Sequence, residues 1–363
     1  MSKYYMGLVC LLIAVVAGAA EIPERPAASR PIRGVTVNCN NGQSIQAAVD
    51  ASSAPAEIQI MGICVENVLI RNKDISLRGV QKPSLDGIRS ATASMPALTV
   101  RGSVIAAISD LSFSGNPGTG VAIRGGADMT LANCLFENNA ASGLRVDSGA
   151  FVVGNDLTFT ANRGTSTNTS DAQFFCIACD ISGSGPAVVS SRGAIVSLLD
   201  SVVTGRLGII ASDRGSFADI DCATFDTPHA CSMNVSQFAA LGVAGGTAVL
   251  FGAGEFSGQL IADDRGTVRL DGALQKATSS DDQPNIADSL GEIVVAPLFD
   301  VTPPAQSLLR DTEAARFARV LLTGDSILKG SIQCTGAADA FLDPTVIPVP
   351  GSTVSGCEHA SVP

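Results

Sequence analysis

The segment from residue 110 to residue 162 reads DLSFSGNPGTGVAIRGGADMTLANCLFENNAASGLRVDSGAFVVGNDLTFTAN. Identical or equivalent residues recur in it every 23 positions. The clearest columns are Phe113, Phe136 and Phe159; Asn116, Asn139 and Asn162; and Asp110, Asn133 and Asp156. A fixed period in the twenties is typical of a solenoid, in which each repeat forms one coil that stacks on the previous one. The segment therefore predicts a repeat architecture.

Within each repeat, apolar residues alternate with other residues, which predicts strands rather than helices. The expected inward pairs on one strand are Leu98 and Val100, Val121 and Ile123, and Leu144 and Val146. A second strand per coil places Leu111, Cys134 and Leu157 inside, followed by the phenylalanine column. We expect equivalent strands to lie about 4.8 Å apart, so that Phe rings and Asn side chains form ladders along the axis.

Outside this segment the coils keep the same pattern but vary in length, and about ten coils of roughly 23 residues are expected. Asp180, Asp200 and Asp221 are expected to continue the column of Asp110. The polar segment 165–171 is interpreted as a loop between coils. Two segments have helical character and are expected to cap the ends, namely 43–52, with Ser44 as N-cap, and 305–321.

The first twenty residues have the pattern of a secretory signal peptide. Lys3 precedes a short apolar run at 7–16, and small residues follow at 17–20. A retained N-terminal anchor is the alternative. We expect a secreted or periplasmic protein with three parts: a signal peptide at 1–20, a repeat domain at 35–295 and a C-terminal capping region at 296–363.

Charge restricts the classes of partner. Without residues 1–20 the chain has 22 basic and 34 acidic residues, a formal charge of −12. Such a protein is not expected to bind nucleic acid or to adhere to an anionic membrane surface. No membrane span is expected in the mature chain, and the apolar run at 7–16 is too short to be one.

Nine cysteines remain after removal of the signal peptide, and in a secreted chain they are expected to pair with near neighbours. The expected pairs are Cys39 with Cys64, Cys176 with Cys179, Cys222 with Cys231, and Cys334 with Cys357. Cys134 is left over and is interpreted as a small buried hydrophobe. The C-x-x-C spacing at 176–179 also occurs in redox and metal motifs, but a structural bridge is favoured because no second Cys pair or nearby His accompanies it.

The N-terminal sequences VNC at 37–39, GQSIQAA at 42–48 and IQIMGIC at 58–64 resemble the first coil of bacterial secreted β-helix proteins. The repeat LANCLFENN at 131–139 is similar to right-handed parallel β-helix repeats of the pectin lyase-like superfamily. The resemblance covers roughly residues 35–295. It implies an all-β, right-handed parallel β-helix, but no particular chemistry, since that superfamily includes lyases, hydrolases, esterases, epimerases, adhesins and spikes.

Catalytic motifs of that superfamily are poorly matched. The Asn-Thr-Asp and Gly-His-Gly elements of polygalacturonases are missing, and the acidic pairs at 263–264 and 281–282 would point to opposite faces of a strand. Mannuronan epimerases use Asp-Pro-His-Glu, where this chain has DTPHA at 226–230. A disulfide-closed turn between Cys222 and Cys231 is the simpler interpretation, although His229 is a candidate base.

Arginines supply the candidate binding residues. Arg78, Arg101 and Arg124 are 23 apart, with Asp147 next in the period. Arg192, Arg214 and Arg265 each precede a corner glycine, and Asp213 precedes Arg214. One interpretation is a ladder at the coil corners, in which Arg stems cover the solenoid and pair with Asp. The other is a groove that binds sulfate, carboxylate or uronate groups through the guanidinium forks.

Composition weighs against a typical sugar-processing cleft. The chain has no Trp, and Tyr4 and Tyr5 both lie in the signal peptide, so the mature chain lacks the aromatic residues with a polar handle. No cofactor is predicted. Several aspartates could supply oxygen ligands to calcium, although none forms a recognised loop motif. They are Asp147, Asp156, Asp180, Asp213 and Asp221.

The favoured function is that of a non-catalytic β-helix protein that contacts polysaccharide or another component of the cell envelope. The alternative is a lyase or epimerase acting on acidic, uronate-containing polysaccharide. Its candidate residues are Arg192, Asp213, Arg214 and His229. A third hypothesis is a structural spacer or adhesin that binds no small ligand.

Overall fold

The computed structural model describes residues 34–222, 231–252, 255–276, 284–296, 308–324, 326–358 and 360–361. These residues form a right-handed parallel β-solenoid with very little helix, as the repeat predicted. Every pair of neighbouring strands assigned in it is parallel, as expected when all coils of a solenoid turn the same way. No helix in this described part is both long and apolar enough to cross a membrane.

The strands are short and follow one another around each coil. The first thirteen are β1 (Gly34–Asn38), β2 (Ala56–Met61), β3 (Ile63–Val65), β4 (Val68–Arg71), β5 (Ile75–Gly79), β6 (Gly87–Arg89), β7 (Leu98–Arg101), β8 (Ile105–Ser109), β9 (Ser112–Ser114), β10 (Val121–Arg124), β11 (Asp128–Ala132), β12 (Leu135–Glu137) and β13 (Leu144–Asp147). The next twelve are β14 (Phe151–Asn155), β15 (Thr158–Asn162), β16 (Thr167–Ser170), β17 (Gln173–Ile177), β18 (Asp180–Ser191), β19 (Ile195–Leu199), β20 (Val202–Ser212), β21 (Phe217–Asp221), β22 (Ser232–Val243), β23 (Thr247–Phe251), β24 (Glu255–Asp263) and β25 (Thr267–Asp271). The last are β26 (Leu274–Lys276), β27 (Asn285–Ala287), β28 (Glu292–Ala296), β29 (Leu308–Leu309), β30 (Thr312–Ala314), β31 (Arg319–Leu322), β32 (Ile327–Leu328), β33 (Ser331–Cys334), β34 (Asp339–Leu342), β35 (Ile347–Pro348), β36 (Thr353–Ser355) and β37 (Ala360–Ser361).

The strands form three stacks. Sheet 1 has 15 strands in the order β1-β2-β5-β8-β11-β14-β17-β19-β21-β23-β25-β28-β31-β34-β37. The other 22 strands form two stacks, joined because the long strands β18, β20, β22 and β24 contribute to both. Stack 2 contains β3, β6, β9, β12 and β15 and continues through β26 to β35. Stack 3 contains β4, β7, β10, β13 and β16 and continues through β27 to β36.

The predicted interior ladders are present. Phe113, Phe136 and Phe159 are fully buried, and their ring centroids are 5.4 and 4.6 Å apart. The buried Asn116 donates from Nδ2 to Oδ1 of Asn139 at 2.6 Å, and Asn139 donates in the same way to Asn162 at 2.9 Å. Each side-chain amide therefore finds its partner one coil away, which a 23-residue repeat makes automatic.

The N-terminal helix α1 (Ile45–Ala51) lies within the predicted segment, and Ser44 is its N-cap, accepting from the backbone N–H of Ala47. A 3-10 turn (Cys39–Asn41) precedes it. The side-chain amide of Gln46 accepts from the N–H of Leu69 and donates to its carbonyl oxygen. The helix thereby occupies the edge of β4 and satisfies backbone groups that would otherwise be free.

The four expected disulfides are present, and Cys134 is a buried free thiol. Cys176 and Cys179 are both fully buried inside the solenoid, so their bridge is structural rather than a surface redox motif. Burial raises the pKa of the Cys134 thiol to about 12, which keeps it in the unreactive protonated form.

The residues at the corner after each strand of sheet 1 agree only in part with the predicted continuation of the Asp110 column. Asp110, Asn133 and Asp156 have positive φ, and each donates its N–H to the coil above. Ala178 and Asp200 continue this column, so the prediction is right for Asp200. It is wrong for Asp180, which begins β18, and for Asp221, which ends β21, because the later coils are not 23 residues long.

Two other predictions were wrong. The expected loop at 165–171 contains β16, whose four residues pair with β13 and whose Thr167 and Thr169 point inward. In the described part of the expected helix at 305–321, the chain forms β29, β30 and the start of β31. Short strands separated by tight corners bring apolar residues three or four positions apart, which imitates helical spacing. Beyond residue 296 the strands pair in the same stacks, so the solenoid has more coils than the ten expected.

Candidate functional site

Three arginines form a row on the outer surface of stack 3, called here the Arg ladder (Arg71, Arg101 and Arg124). Each is the last residue of its strand, β4, β7 or β10. In the parallel register, Arg101 pairs with Arg71 on one side and with Arg124 on the other. Because the preceding Ile or Val of each strand faces the core, the alternation of the strand turns the arginines outward.

The ladder borders a shallow groove with a volume of about 290 Å³. The groove is lined by Arg71, Asn72, Arg101, Gly102, Arg124, Gly125 and Ser148. Gly102 has a φ of 89°, and a Cβ at this position would collide with the side-chain amide oxygen of Asn72. Glycine is therefore required at this corner, and its backbone forms the floor beside the guanidinium groups.

Charge within the ladder is not neutralised. In the described residues, none of the three guanidinium groups makes an ion pair with a carboxylate. Arg124 is half-buried, and its Nε has no hydrogen-bond partner. Charges of one sign about 5 Å apart repel by about 1 to 3 kcal/mol per pair near a protein surface. A bound anion would remove this repulsion and satisfy the unpaired Nε.

The fourth position of the row is occupied by an acid. Asp147 of β13 pairs in register with Arg124. Asp147 is 7% exposed, and its Oδ2 lies 2.7 Å from Nε of Arg145 on the same strand. The charge of Asp147 is thus balanced within its own strand, and Arg101, Arg124 and Asp147 share one column as the sequence predicted.

The other predicted binding residues lie elsewhere. Ser170 and Ser191 occupy the column in the two coils after Asp147. Arg192, Asp213 and Arg214 instead lie in the corners between stack 3 and sheet 1, where they are exposed. They therefore do not extend the Arg ladder.

The two remaining candidate residues are His229 and Arg78. His229 lies outside the described residues. Arg78 belongs to β5 of sheet 1, where it pairs in register with Ser109 and lies 3.9 Å from the carboxylate of Asp110. Its expected place in the row is taken by Arg71, because the coil between Arg71 and Arg101 has 30 residues rather than 23. The repeated "strand ending in Arg" at β4, β7 and β10 is the signal that would have found it.

Sheet 1 carries two carboxylates that the sequence did not single out. Asp219 and Asp271 lie on its outer face, and one oxygen of each is buried without a hydrogen-bond partner. Burial raises the pKa of Asp219 to about 7, against a smaller lowering by a hydrogen bond from Ser197. Burial also raises the pKa of Asp271, while Arg269, 2.6 Å away, lowers it. With its pKa at about 7, the Asp219 carboxyl exchanges protons near neutral pH, but both residues lie on a different sheet from the Arg ladder.

In the described residues, no group of three or more His, Cys, Asp or Glu side chains is placed so that it could hold a metal ion. The aspartates considered for calcium are distributed over several coils. Asp147 is paired with Arg145, Asp180 begins β18, and Asp213 lies in an exposed corner.

A family model described as "Right handed beta helix region" matches residues 32–217, slightly more than half of the chain. No curated protein matches the chain.

Three solved structures are similar in fold at low sequence identity. Tailspike protein 2 from an Escherichia coli O157:H7 bacteriophage has 11% identity and a TM-score of 0.45, over 84% of this chain and 42% of that one. Pectate lyase Pel9A has 12% identity and a TM-score of 0.35, over 84% and 78%. A GH87 α-1,3-glucanase from Streptomyces thermodiastaticus has 14% identity and a TM-score of 0.30, over 92% and 70%. The chain therefore spans less than half of the tailspike protein.

Proposed function

The chain belongs to the right-handed β-helix family, whose stacked coils present equivalent side chains in straight rows, and we propose that it binds an acidic polysaccharide along the Arg ladder. The observation that carries this proposal is the row itself. Arg71, Arg101 and Arg124 stand in register on adjacent coils without a carboxylate partner among the described residues. Guanidinium groups bind carboxylates and sulfates through paired hydrogen bonds, so a chain of such groups fits the row.

The overall charge favours a polysaccharide over a nucleic acid. The protein has a formal net charge of −11, so a densely charged polyanion would be repelled by most of its surface. A polysaccharide with one carboxylate or sulfate per sugar carries fewer charges and offers hydroxyl groups to the serines beyond the ladder. Components of the bacterial cell envelope and of plant or algal cell walls have this chemistry.

Binding without turnover is the function that the groove supports best. Elimination or epimerisation of a uronate requires a base that removes the C5 proton. The groove is lined by guanidinium, amide, hydroxyl and glycine groups. Asp219, whose pKa is raised, lies on sheet 1 rather than in the groove.

A secreted or periplasmic location agrees with this function. Four disulfides link residues of the described part, and such bridges persist in oxidising compartments. The expected signal peptide at 1–20 leads to the same compartment.

The test compares two double variants of the purified protein. Calorimetric titration with polygalacturonate and alginate measures affinity, and dextran is the neutral control. In Arg101→Ala/Arg124→Ala we expect the affinity for the acidic polymers to fall about a hundredfold, because each charged hydrogen bond contributes about 1.5 to 3 kcal/mol. Arg78→Ala/Arg319→Ala removes the same charge from exposed positions on sheet 1 and should bind as the unmodified protein does.

Two results would contradict the proposal. One is an absence of binding to every acidic polymer, and the other is equal loss in both double variants, which would indicate a general charge effect. Ultraviolet absorbance of unsaturated uronates is recorded on the same samples. Product that appears with the unmodified protein would establish the lyase alternative instead.

A further inference from the structure

The Arg ladder has a definite end on its C-terminal side. Asp147 occupies the next position in register after Arg124, and Arg145, which could otherwise have added a fourth positive charge, lies 2.7 Å from its carboxylate. Because Asp147 already occupies the guanidinium of Arg145, a fourth carboxylate placed on this coil would find no free cation and would have to compete with Asp147 for Arg145.

The ladder also has a definite start. The strand of Arg71, β4, is the first of stack 3, and α1 occupies the place before it through the two hydrogen bonds of Gln46 to Leu69. The ammonium group of Lys73 is held by the carbonyl oxygens of Val49, Asp50 and Ser52 at the end of α1. No further coil can therefore add an arginine before Arg71.

Three unpaired guanidinium groups thus stand between two fixed boundaries. Parallel strands repeat about every 4.8 Å along the solenoid axis, which sets the spacing of the three arginines along the ladder. We infer, on the basis of the proposed function, that the ladder binds three consecutive acidic sugars of one chain and that Asp147 is the specificity residue that excludes a fourth.

The residues beyond Asp147 agree with this limit. Ser170 and Ser191 follow it in the same column, and Ser191 donates from Oγ to the carbonyl oxygen of Thr169 at 3.5 Å. Hydroxyl groups can bond to neutral sugars but offer no charge to a carboxylate. The surface therefore changes from anion-binding to neutral within one coil.

The experiment is a length series. Galacturonate oligomers of one to five sugars are titrated into the full protein by calorimetry. We expect affinity to rise with each sugar up to three and then to stay constant within about a factor of two, since no further ion pair forms. This series requires no variant, so it tests the inference even if a substitution impairs folding.

The variant Asp147→Asn sharpens the test. It removes the acid, keeps the shape of the side chain and frees the guanidinium of Arg145, which pairs in register with Ala122 but whose Nε reaches position 147, so that a fourth cation lies at the end of the row. We expect its affinity for the tetramer to exceed that for the trimer about tenfold. Asp271→Asn is the matched control, because Arg269 and Asp271 form the same pair at 2.6 Å with nearly the same exposure, but on sheet 1. In this control variant, the affinity should still stop rising at three sugars.

The outcomes separate this inference from the proposed function. A steady rise in affinity from three to five sugars, or a plateau at three in Asp147→Asn, would overturn the role of Asp147 while leaving polysaccharide binding intact. Failure of all oligomers and of polymeric galacturonate and alginate to bind would overturn both. If Asp271→Asn raised the affinity for the tetramer over the trimer as much as Asp147→Asn does, the effect would be due to net charge and the inference would be overturned.

Discussion

The regular coils (residues 98–162) and the variable coils (residues 163–296) are built from the same strands but differ in how well their polar groups are satisfied. In the regular coils, the register joins residues 23 positions apart. In sheet 1 of the variable coils the spacing becomes 22, then 30, then 20. Five buried side-chain atoms in the described residues lack a hydrogen-bond partner, and four belong to the variable coils. They are Oγ1 of Thr167, Oγ1 of Thr169, Oδ1 of Asp219 and Oδ1 of Asp271.

The reason lies in what each residue meets on the next coil. An exact repeat places Asn beside Asn, so the amide of Asn139 both accepts from Asn116 and donates to Asn162. When the period changes, a polar residue meets an unlike neighbour, as Asp219 meets Val249. A buried polar group left without a partner costs about 1 to 3 kcal/mol. The exception in the regular coils is Nε of Arg124, which belongs to the candidate binding site.

The largest expected effect is loss of the phenylalanine ladder in the regular coils. Phe136 is fully buried between Phe113 and Phe159. Phe136→Ala should lower the free energy of unfolding by about 3 to 5 kcal/mol, because it removes the ring and leaves a cavity that rigid neighbouring coils do not fill. Urea denaturation followed by circular dichroism measures the change.

Phe151→Ala is the matched control, since this ring lies on the outer face of sheet 1 and is 39% exposed. Phe151→Ala should lower the free energy of unfolding by about 1 kcal/mol, because the ring buries less area than that of Phe136. Equal losses in the two variants would show that the interior ladder has no special role in stability.

The regular coils could be predicted from the sequence because the period itself defines the register. Leu98, Val121 and Leu144 are found paired as expected, and the disulfides follow from cysteines that are close in the chain. The variable coils could not be predicted in this way. Insertions at the corners change the spacing without changing the strand pattern, so a fixed period assigned Asp180 and Asp221 to the wrong column.

The candidate site was predicted in part for the same reason. Arg101, Arg124 and Asp147 lie within the regular coils, and the structure brings them into one column. Arg71 was missed because its coil contains seven more residues than the repeat. The carboxyl groups of Asp219 and Asp271 were missed because burial on the outer face of a sheet depends on what covers that face, which alternation along a strand does not reveal.

The second prediction concerns Asp219 in the variable coils. Burial raises its pKa from 3.8 to about 7, with a further raising effect of Asp221 and a lowering effect of the hydrogen bond from Ser197. Between these pH values the folded protein holds a proton that the unfolded chain has released, so stability falls as pH rises from about 4 to about 7. Asp219→Asn stays neutral and should be more stable by about 2 kcal/mol at about pH 8, which is about half of what three pKa units correspond to because the side chain is only half-buried, with no difference below about pH 4.

Urea denaturation at several pH values measures this difference. Asp128→Asn is the control, because it removes one carboxyl from an exposed position on the same face of sheet 1. It should leave the pH dependence of unfolding unchanged. If Asp219→Asn has the same pH profile as the unmodified protein, Asp219 is ionised in the folded state at the same pH as in the unfolded chain.

The smallest expected effect is a gain in stability where the repeat first changes. Thr167 and Thr169 point into the core at 0% exposure, stacked between Leu144 and Val146 on one side and Val188 and Ser190 on the other. Thr167→Val and Thr169→Val replace an unpaired hydroxyl by a methyl group of similar size, so each should raise the free energy of unfolding by about 1 kcal/mol. Thr160→Val in the regular coils provides the contrast, because its Oγ1 accepts from Ser182 at 3.1 Å, and the same change there should lower stability slightly. A loss at all three positions would show that the two core hydroxyls are satisfied, and that the variable coils keep their polar groups paired as well as the regular coils do.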